Sequence, residues 1–295
     1  MAPDVYYSLV VVACGILVSA SCSLLGPFLV LRRMSLVGDA ISHAILPGIA
    51  LGFILTHSRQ SLAMTLGAAA AGLVTVWLIE LLLKSRRVSE DTSVALVFPM
   101  LFALGVLLME RFARYVDLDP ECVIYGDIEF APFDQWSLGG LALGPRPLWI
   151  LAGVTLFNLL LVVLLYKELK LTTFDPALGD ALGFHSGWMH YILMTAVALT
   201  CVAAFESVGA ILVVAFLIVP AATAYLITDR LSRLLAWSVG FGVLAAVGGY
   251  GLAREELLDC SVAGGMATMA GLIFAGVWMA APRQGLLAQL RRRLS

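Results

Sequence analysis

The chain comprises 295 residues, of which 61% are hydrophobic and 13% charged, with a formal net charge of -2. A mean hydropathy of +0.98 excludes a soluble globular domain, and no nucleic-acid partner is expected. What remains is a polytopic, all-helical membrane protein, read as a single membrane domain over residues 1–295, with no low-complexity tract and no solenoid-period repeat.

A helix needs ~20 apolar residues to cross ~30 Å of hydrocarbon. Runs of that kind predict spans at 5–31, 36–56, 61–83, 92–112, 147–166, 188–205, 208–227, 233–252 and 263–281. That is nine, or eight if residues 188–227 hold a re-entrant or broken element. The first run has no basic region before it and continues past the length of a signal-peptide core, so it reads as a retained span.

The second span opens with RRMSLVGDAISHAILPGIALG, residues 32–52, and is chemically anomalous. Ionisable side chains at membrane depth cost roughly 2.5–3.5 kcal/mol on insertion scales and usually face protein or a polar path. Asp39 and His43 lie one helical turn apart on a single face, and the same spacing assigns Ser35 and Ser42 to that stripe. A carboxylate with an imidazole suits a first-row divalent metal; a hydrogen-bonded contact between helices is the other reading. Two ligands leave a coordination sphere incomplete, so further donors have to come from another helix, another subunit or water. Pro47 has no N–H to give to the carbonyl of His43, which exposes backbone beside the imidazole.

The longest loop, about 114–146, carries Asp117, Asp119, Glu121, Asp127, Glu129 and Asp134 among aromatic residues. It reads either as an acidic mouth or as a solvated loop with an interfacial aromatic belt. The segment 167–187, KELKLTTFDPALGDALGFHSG, follows the next span. Asp175 can cap a short helix that begins at Pro176 and stops near Gly183. Glu206 lies where the sixth span meets the seventh and reads as an interfacial residue or, with less support, as a further path ligand. His57, His185 and His190 sit at predicted helix ends and carry no motif.

The five cysteines form no CxxC or Cys/His cluster, which speaks against a thiolate zinc site. Cys122 and Cys260 fall in loops on the same side, where a disulfide or two free thiols are both compatible with the sequence. No HExxH, G-x-S-x-G or GxxxxGK[ST] occurs. The chain reads as a transport subunit rather than an enzyme, and any ATP hydrolysis falls to another chain.

With the N-terminus outside, thirteen of the eighteen Lys and Arg residues fall on the inner side, as the positive-inside rule requires. The tail GLLAQLRRRLS then lies in the cytoplasm at the lipid surface.

Two segments, LVLRRMSLVGDAISHAILPGIALGF and SVGAILVVAFLIVPAATAYLITDRLSRLL, closely resemble the permeases of manganese, zinc and iron ABC importers, the ABC-3 family. AFESVGAILVVAFLIVP and the loop VDLDPECVIYGDIEFAPFD look most like the Tro/Mnt/Psa type, and the resemblance spans essentially the whole chain. It implies the type II ABC importer permease fold in a bacterial inner membrane. It implies a second permease copy or paralogue, two cytoplasmic ATPase subunits and an extracytoplasmic metal-binding protein. The family's pore aspartate and histidine correspond to Asp39 and His43, and Thr173–Phe184 to the segment seated in the ATPase, with Asp175, Pro176 and Gly183 in it. The cargo implied is Mn(II), Zn(II) or Fe(II), with no permanently bound cofactor and with ATP used through the partner subunits. An importer of chelated metal would have a wide apolar path without an Asp/His pair; a stand-alone secondary transporter or channel for divalent cations would work without ATPase partners.

Overall fold

The computed structural model describes residues 3–56, 61–85, 87–112, 128–138, 141–254 and 261–281. The chain forms helices α1 (Pro3–Leu31), α2 (Leu36–Ala44), α3 (Leu46–Thr56), α4 (Ser61–Lys84), α5 (Glu90–Phe112), α6 (Arg146–Leu164), α7 (Tyr166–Phe174), α8 (Pro176–Ala181), α9 (Ser186–Val208), α10 (Ala210–Ile227), α11 (Leu231–Arg254) and α12 (Val262–Ala280). Among the described residues, nine helical stretches are long and apolar enough to cross a membrane, with α2 and α3 together making one of them. Lipid offers no partner to a backbone N–H or C=O, so apolar runs of this length can only be helical or close into barrels. The nine-span reading and the all-helical class are therefore those of the structure.

α1 is the axis of the bundle, packed by α6, α9, α10 and α11. Its residues Cys14, Val18, Cys22, Leu25 and Phe28 recur at helical spacing and are fully buried. The free thiols of Cys14, Cys22 and Cys201 belong to this core. α2 and α3 lie against α4, α5, α9 and α10.

Residues 188–227 are two spans meeting at one residue. Gly209, with φ +81° and ψ 165°, joins α9 to α10 in a conformation that side chains with a Cβ rarely adopt.

Two features depart from the expected loops. Between α5 and α6 a turn of 3-10 helix, Ile128–Phe130, precedes an antiparallel hairpin of β1 (Gln135–Leu138) and β2 (Leu141–Pro145), with a bulge between Gln135 and Ser137. Here Glu129 accepts a hydrogen bond from Val262 N at 3.1 Å, and Phe133 stacks on Tyr7 at 5.2 Å. Glu129 therefore ties the hairpin region to the start of α12. The stretch after α6 is also mostly helical, because α7 follows a single irregular residue, Leu165. Asp117, Asp119, Glu121, Cys122, Asp127, His57, Cys260 and the C-terminal tail from 282 lie outside the described residues.

Candidate functional site

The second span is broken. α2 stops at Ala44, Ile45 forms the joint, and α3 begins at Leu46 with Pro47 in its first turn. Pro47 cannot donate to His43 O, and the ladder resumes with Ile49 N to Ile45 O at 3.0 Å. α5 closes on this joint through Gly105, where a Cβ would meet Pro47 N and Cδ at 2.8 Å.

Asp39 and His43 face one another across one turn of α2, with His43 Nε2 3.5 Å from Asp39 Oδ1. The His43 ring leans on two aromatic side chains of α5, with centroids 5.2 Å from Phe98 and 6.1 Å from Phe102. These tilted and edge-on contacts, at 47° and 87°, give the imidazole an aromatic wall on the α5 side.

The remaining faces of α2 are closed. Val37, Gly38, Ala40, Ile41, Ser42 and Ala44 are buried, and Gly38 admits the side chain of Leu217 from α10. Asp39 and His43 keep 46% and 32% of their side chains exposed, on a stripe continued by Leu36 and Leu46. The ionisable pair thus occupies the open stripe of its span. Ser42 corrects the sequence assignment: it is 3% exposed and donates to Gly38 O at 3.0 Å, away from Asp39. Its hydroxyl satisfies the backbone of its own helix, a common alternative for serine within an apolar helix. Ser35 stands at the start of α2 and makes no capping hydrogen bond with its side chain.

Glu206 lies at the other end of the bundle. It accepts from Thr65 Oγ1 at 2.9 Å and has Arg146 Nη2 at 3.8 Å, where α4, α6 and α9 meet. Among the described residues no third His, Cys, Asp or Glu joins a group able to hold a metal ion. Among the described residues, Asp39 and His43 therefore stand as a pair that no third side chain of those types joins.

The end of the bundle beneath α2 carries an arrangement that helix spacing does not reveal. α1 ends with Arg33 in a left-handed conformation, φ 63°, while Met34 N bonds Leu29 O and Arg33 N bonds Val30 O. This is a Schellman-type stop, usually built on glycine. It presents Arg32, whose Nε donates to Thr173 Oγ1 at 3.1 Å, Nη2 to Thr172 Oγ1 at 3.2 Å and Nη1 to His190 Nδ1 at 3.4 Å. Guanidinium nitrogens can only donate, so Nδ1 of His190 accepts. His190 Nε2 then carries the hydrogen that meets Glu80 Oε2 at 2.8 Å. His190 carried no motif in the sequence, because its partners Arg32 and Glu80 are distant along the chain.

Below this cluster, α7 and α8 form the segment predicted from Asp175, Pro176 and Gly183. Asp175 Oδ1 accepts from Leu178 N at 3.0 Å, Pro176 takes the first helical position, and Gly183 turns the chain at φ +89°. Asp180 Oδ1 and Oδ2 accept from Ser186 N and Oγ at 2.7 and 2.9 Å, which ties α8 to the start of α9. These bonds, the backbone one foremost, hold the Asp180 carboxyl below its ordinary pKa. Its contribution to the turn is thus present above the ordinary carboxylate range and is lost as pH falls through the lowered value.

Residues 5–281 match the model of the ABC 3 transport family. The chain is 43% identical over 285 residues to the manganese transport system membrane protein MntD of Bacillus subtilis, covering 97% of this chain and 96% of that one. It is 44% identical over 277 residues to the zinc transport system membrane protein TroD of Treponema pallidum, covering 94% of this chain and 75% of the other. Its fold is similar to that of PsaBC from Streptococcus pneumoniae, solved in complex with Fab, with a TM-score of 0.76 at 32% identity over 94% of this chain and 92% of that one.

Proposed function

The chain belongs to the ABC 3 transport family, and from that premise we propose that it is the membrane permease of an ABC importer carrying a divalent transition metal inward, manganese before zinc or iron. The observation that carries the site assignment is the half-open Asp39/His43 pair on the uncovered stripe of a broken span. A carboxylate cannot face hydrocarbon cheaply, so that stripe has to meet protein or water. A second permease copy or a paralogue supplies the cover and, with water, the donors that one chain lacks.

The resulting coordination shell is partial and wet, which suits an ion that must leave again. Asp39 neutralises part of the cation's charge, and His43, held by Phe98 and Phe102, gives a ring nitrogen. The cation arrives from an extracytoplasmic binding protein at the end carrying Arg146 and Glu206. It leaves at the end carrying Arg32 and Lys84, which the distribution of basic residues assigns to the cytoplasm of a bacterial inner membrane. There α7 and α8, with Asp175, Pro176 and Gly183, seat in one of two ATPase subunits, which supply the hydrolysis for which this chain has no motif.

The decisive experiment is reconstitution. The chain, purified with its ATPase and given its binding protein, is expected to accumulate radiolabelled manganese in proteoliposomes only with ATP. Accumulation by the permease alone, at the same rate, would replace this reading by that of a stand-alone transporter. Within the complex, Gly183→Val should raise the ATP hydrolysed per ion imported by about tenfold. A Cβ at φ +89° is strained whatever the space around it, at a cost on the order of 1–3 kcal/mol, enough to shift a coupling equilibrium tenfold. An unchanged ratio would remove α8 from the coupling path.

A further inference from the structure

Three spans end around one cleft. α1 stops at Leu31, α4 stops at Lys84 and α9 starts at Ser186, and Leu31, Leu83 and Ser186, with Thr172 and Thr173 of α7, line a cleft of about 490 Å³. A cleft bounded by the ends of spans lies at the depth of lipid headgroups. The distribution of basic residues assigns this end to the cytoplasm, where the membrane surface is anionic.

The polar lining carries two arginines, Arg32 and Arg33, against one carboxylate, Glu80. Glu80 Oε2 faces His190 Nε2 at 2.8 Å, and an imidazole whose Nδ1 accepts from Arg32 is neutral. The lining residues therefore hold one positive charge in excess. Charged neighbours outside the lining are engaged elsewhere, Asp180 by Ser186 and Lys84 by the Tyr191 hydroxyl at 2.9 Å.

The lining also holds donors with nothing to donate to. Arg33 is exposed, and its guanidinium makes no hydrogen bond or ion pair with a described residue, whereas Arg32 has Thr172, Thr173 and His190 among its contacts. Thr173 accepts from Arg32 and keeps its own hydroxyl hydrogen. Gly187 is the second residue of α9, so its N–H has no acceptor within that helix, and a Cβ there would meet nothing within 4 Å. Leu31, Met34 and Leu83 give the same cleft an apolar wall.

We propose that the cleft binds the headgroup of an anionic phospholipid from the inner leaflet. The phosphodiester meets Arg33, the Thr173 hydroxyl and Gly187 N–H, and the glycerol lies along Leu31, Met34 and Leu83. Basic pockets between spans on the cytoplasmic side are suited to such headgroups. A phosphodiester carries one negative charge, which the excess in the lining matches; phosphomonoesters carry about two and have nothing to set on the apolar wall. The bound lipid joins α7 to the ends of α1, α4 and α9.

The test counts lipid on the complex of this chain with its ATPase by native mass spectrometry, as phosphatidylglycerol is titrated into detergent. Phosphatidylcholine, with the same phosphodiester and no net charge, and inorganic phosphate are the competing probes, and neither should displace the bound lipid. Arg33→Gln should weaken retention about fivefold, the worth of one arginine near a membrane surface. Gly187→Leu fills the open space and leaves both arginines in place, and should weaken it at least as much, so charge and bulk are probed by separate variants. Arg233→Gln makes the same charge change at an exposed inner position outside the cleft and should retain lipid as the wild type does.

Wild-type retention in both Arg33→Gln and Gly187→Leu would overturn the proposal. So would equal losses in Arg33→Gln and Arg233→Gln, which mark only the general attraction of basic residues for anionic lipid, and so would displacement by inorganic phosphate or equal retention of phosphatidylcholine. Retention is read without transport, so a failure of metal uptake on reconstitution strikes the transport reading and leaves this result standing.

Discussion

Asp39→Asn and His43→Ala are each expected to reduce ATP-dependent manganese uptake about a hundredfold or more, since disturbing even outer-shell partners of metal ligands costs 10–100-fold. Asn keeps the shape and one oxygen of Asp39 and removes the charge. His43→Phe separates ligation from packing, because a phenyl ring can still lean on Phe98 and Phe102, where the imidazole now lies 5.2 and 6.1 Å away. Uptake should be lost in His43→Phe as in His43→Ala, with the complex assembled and its ATPase present at wild-type level. Undiminished uptake in Asp39→Asn and His43→Phe would end the assignment of the α2 stripe as the metal path.

The second large effect concerns the upper half of the broken span. α3 and α4 approach so closely that a Cβ on Gly48 would overlap the Gly67 carbonyl, and one on Gly67 would overlap the Gly48 carbonyl. Gly52 meets Ala63 O in the same way, one turn along, with a Cβ contact at 2.6 Å. This is small-residue packing of the kind that joins helices in lipid, where no hydrophobic effect does it. Gly48→Ala should therefore cost about 2–3 kcal/mol, the upper part of the overpacking range because the obstacle is backbone, and lower the apparent unfolding temperature by about 5–10 °C.

Gly153→Ala in α6 provides the control. A Cβ there meets nothing within 4 Å, and replacing glycine by alanine inside a helix gains about 0.5–1 kcal/mol. Equal unfolding temperatures for the two alanine variants in detergent would refute the close-approach account. Since α3 continues directly from the joint beside His43, metal uptake by Gly48→Ala should fall with its stability.

Much of the architecture could be read before folding. Apolar length alone sets the nine crossings, because a backbone in hydrocarbon has to satisfy itself within its own helix. The break in the second span, the cap at Asp175 and the stop at Gly183 were likewise legible, since each depends on chemistry within about four residues. The Asp39/His43 pair was visible as an anomaly of composition, and its spacing as one helical face.

Other features were hidden because they are properties of contacts. Spacing assigned Ser42 to the Asp39 stripe, whereas its hydroxyl turns to Gly38 O inside the bundle. In the segment after α6 a helix was expected only from Pro176, whereas Tyr166–Phe174 is helical as well, and the hairpin before α6 carried no alternation strong enough to announce it. The aromatic wall of Phe98 and Phe102, the mutual fit of Gly48 and Gly67, and the partners of Glu206 all require a neighbouring helix. Arg32 is the clearest instance. As a residue in a row it is one of two arginines at a membrane edge, and Thr172, Thr173 and His190, which accept from it, stand 140 to 158 positions away. Local chemistry could choose the helices, their breaks and the pair of donors; only packing could choose which faces stay open and which distant groups meet. Hydropathy and capping act along the chain, while burial and hydrogen bonding between helices depend on their arrangement in space.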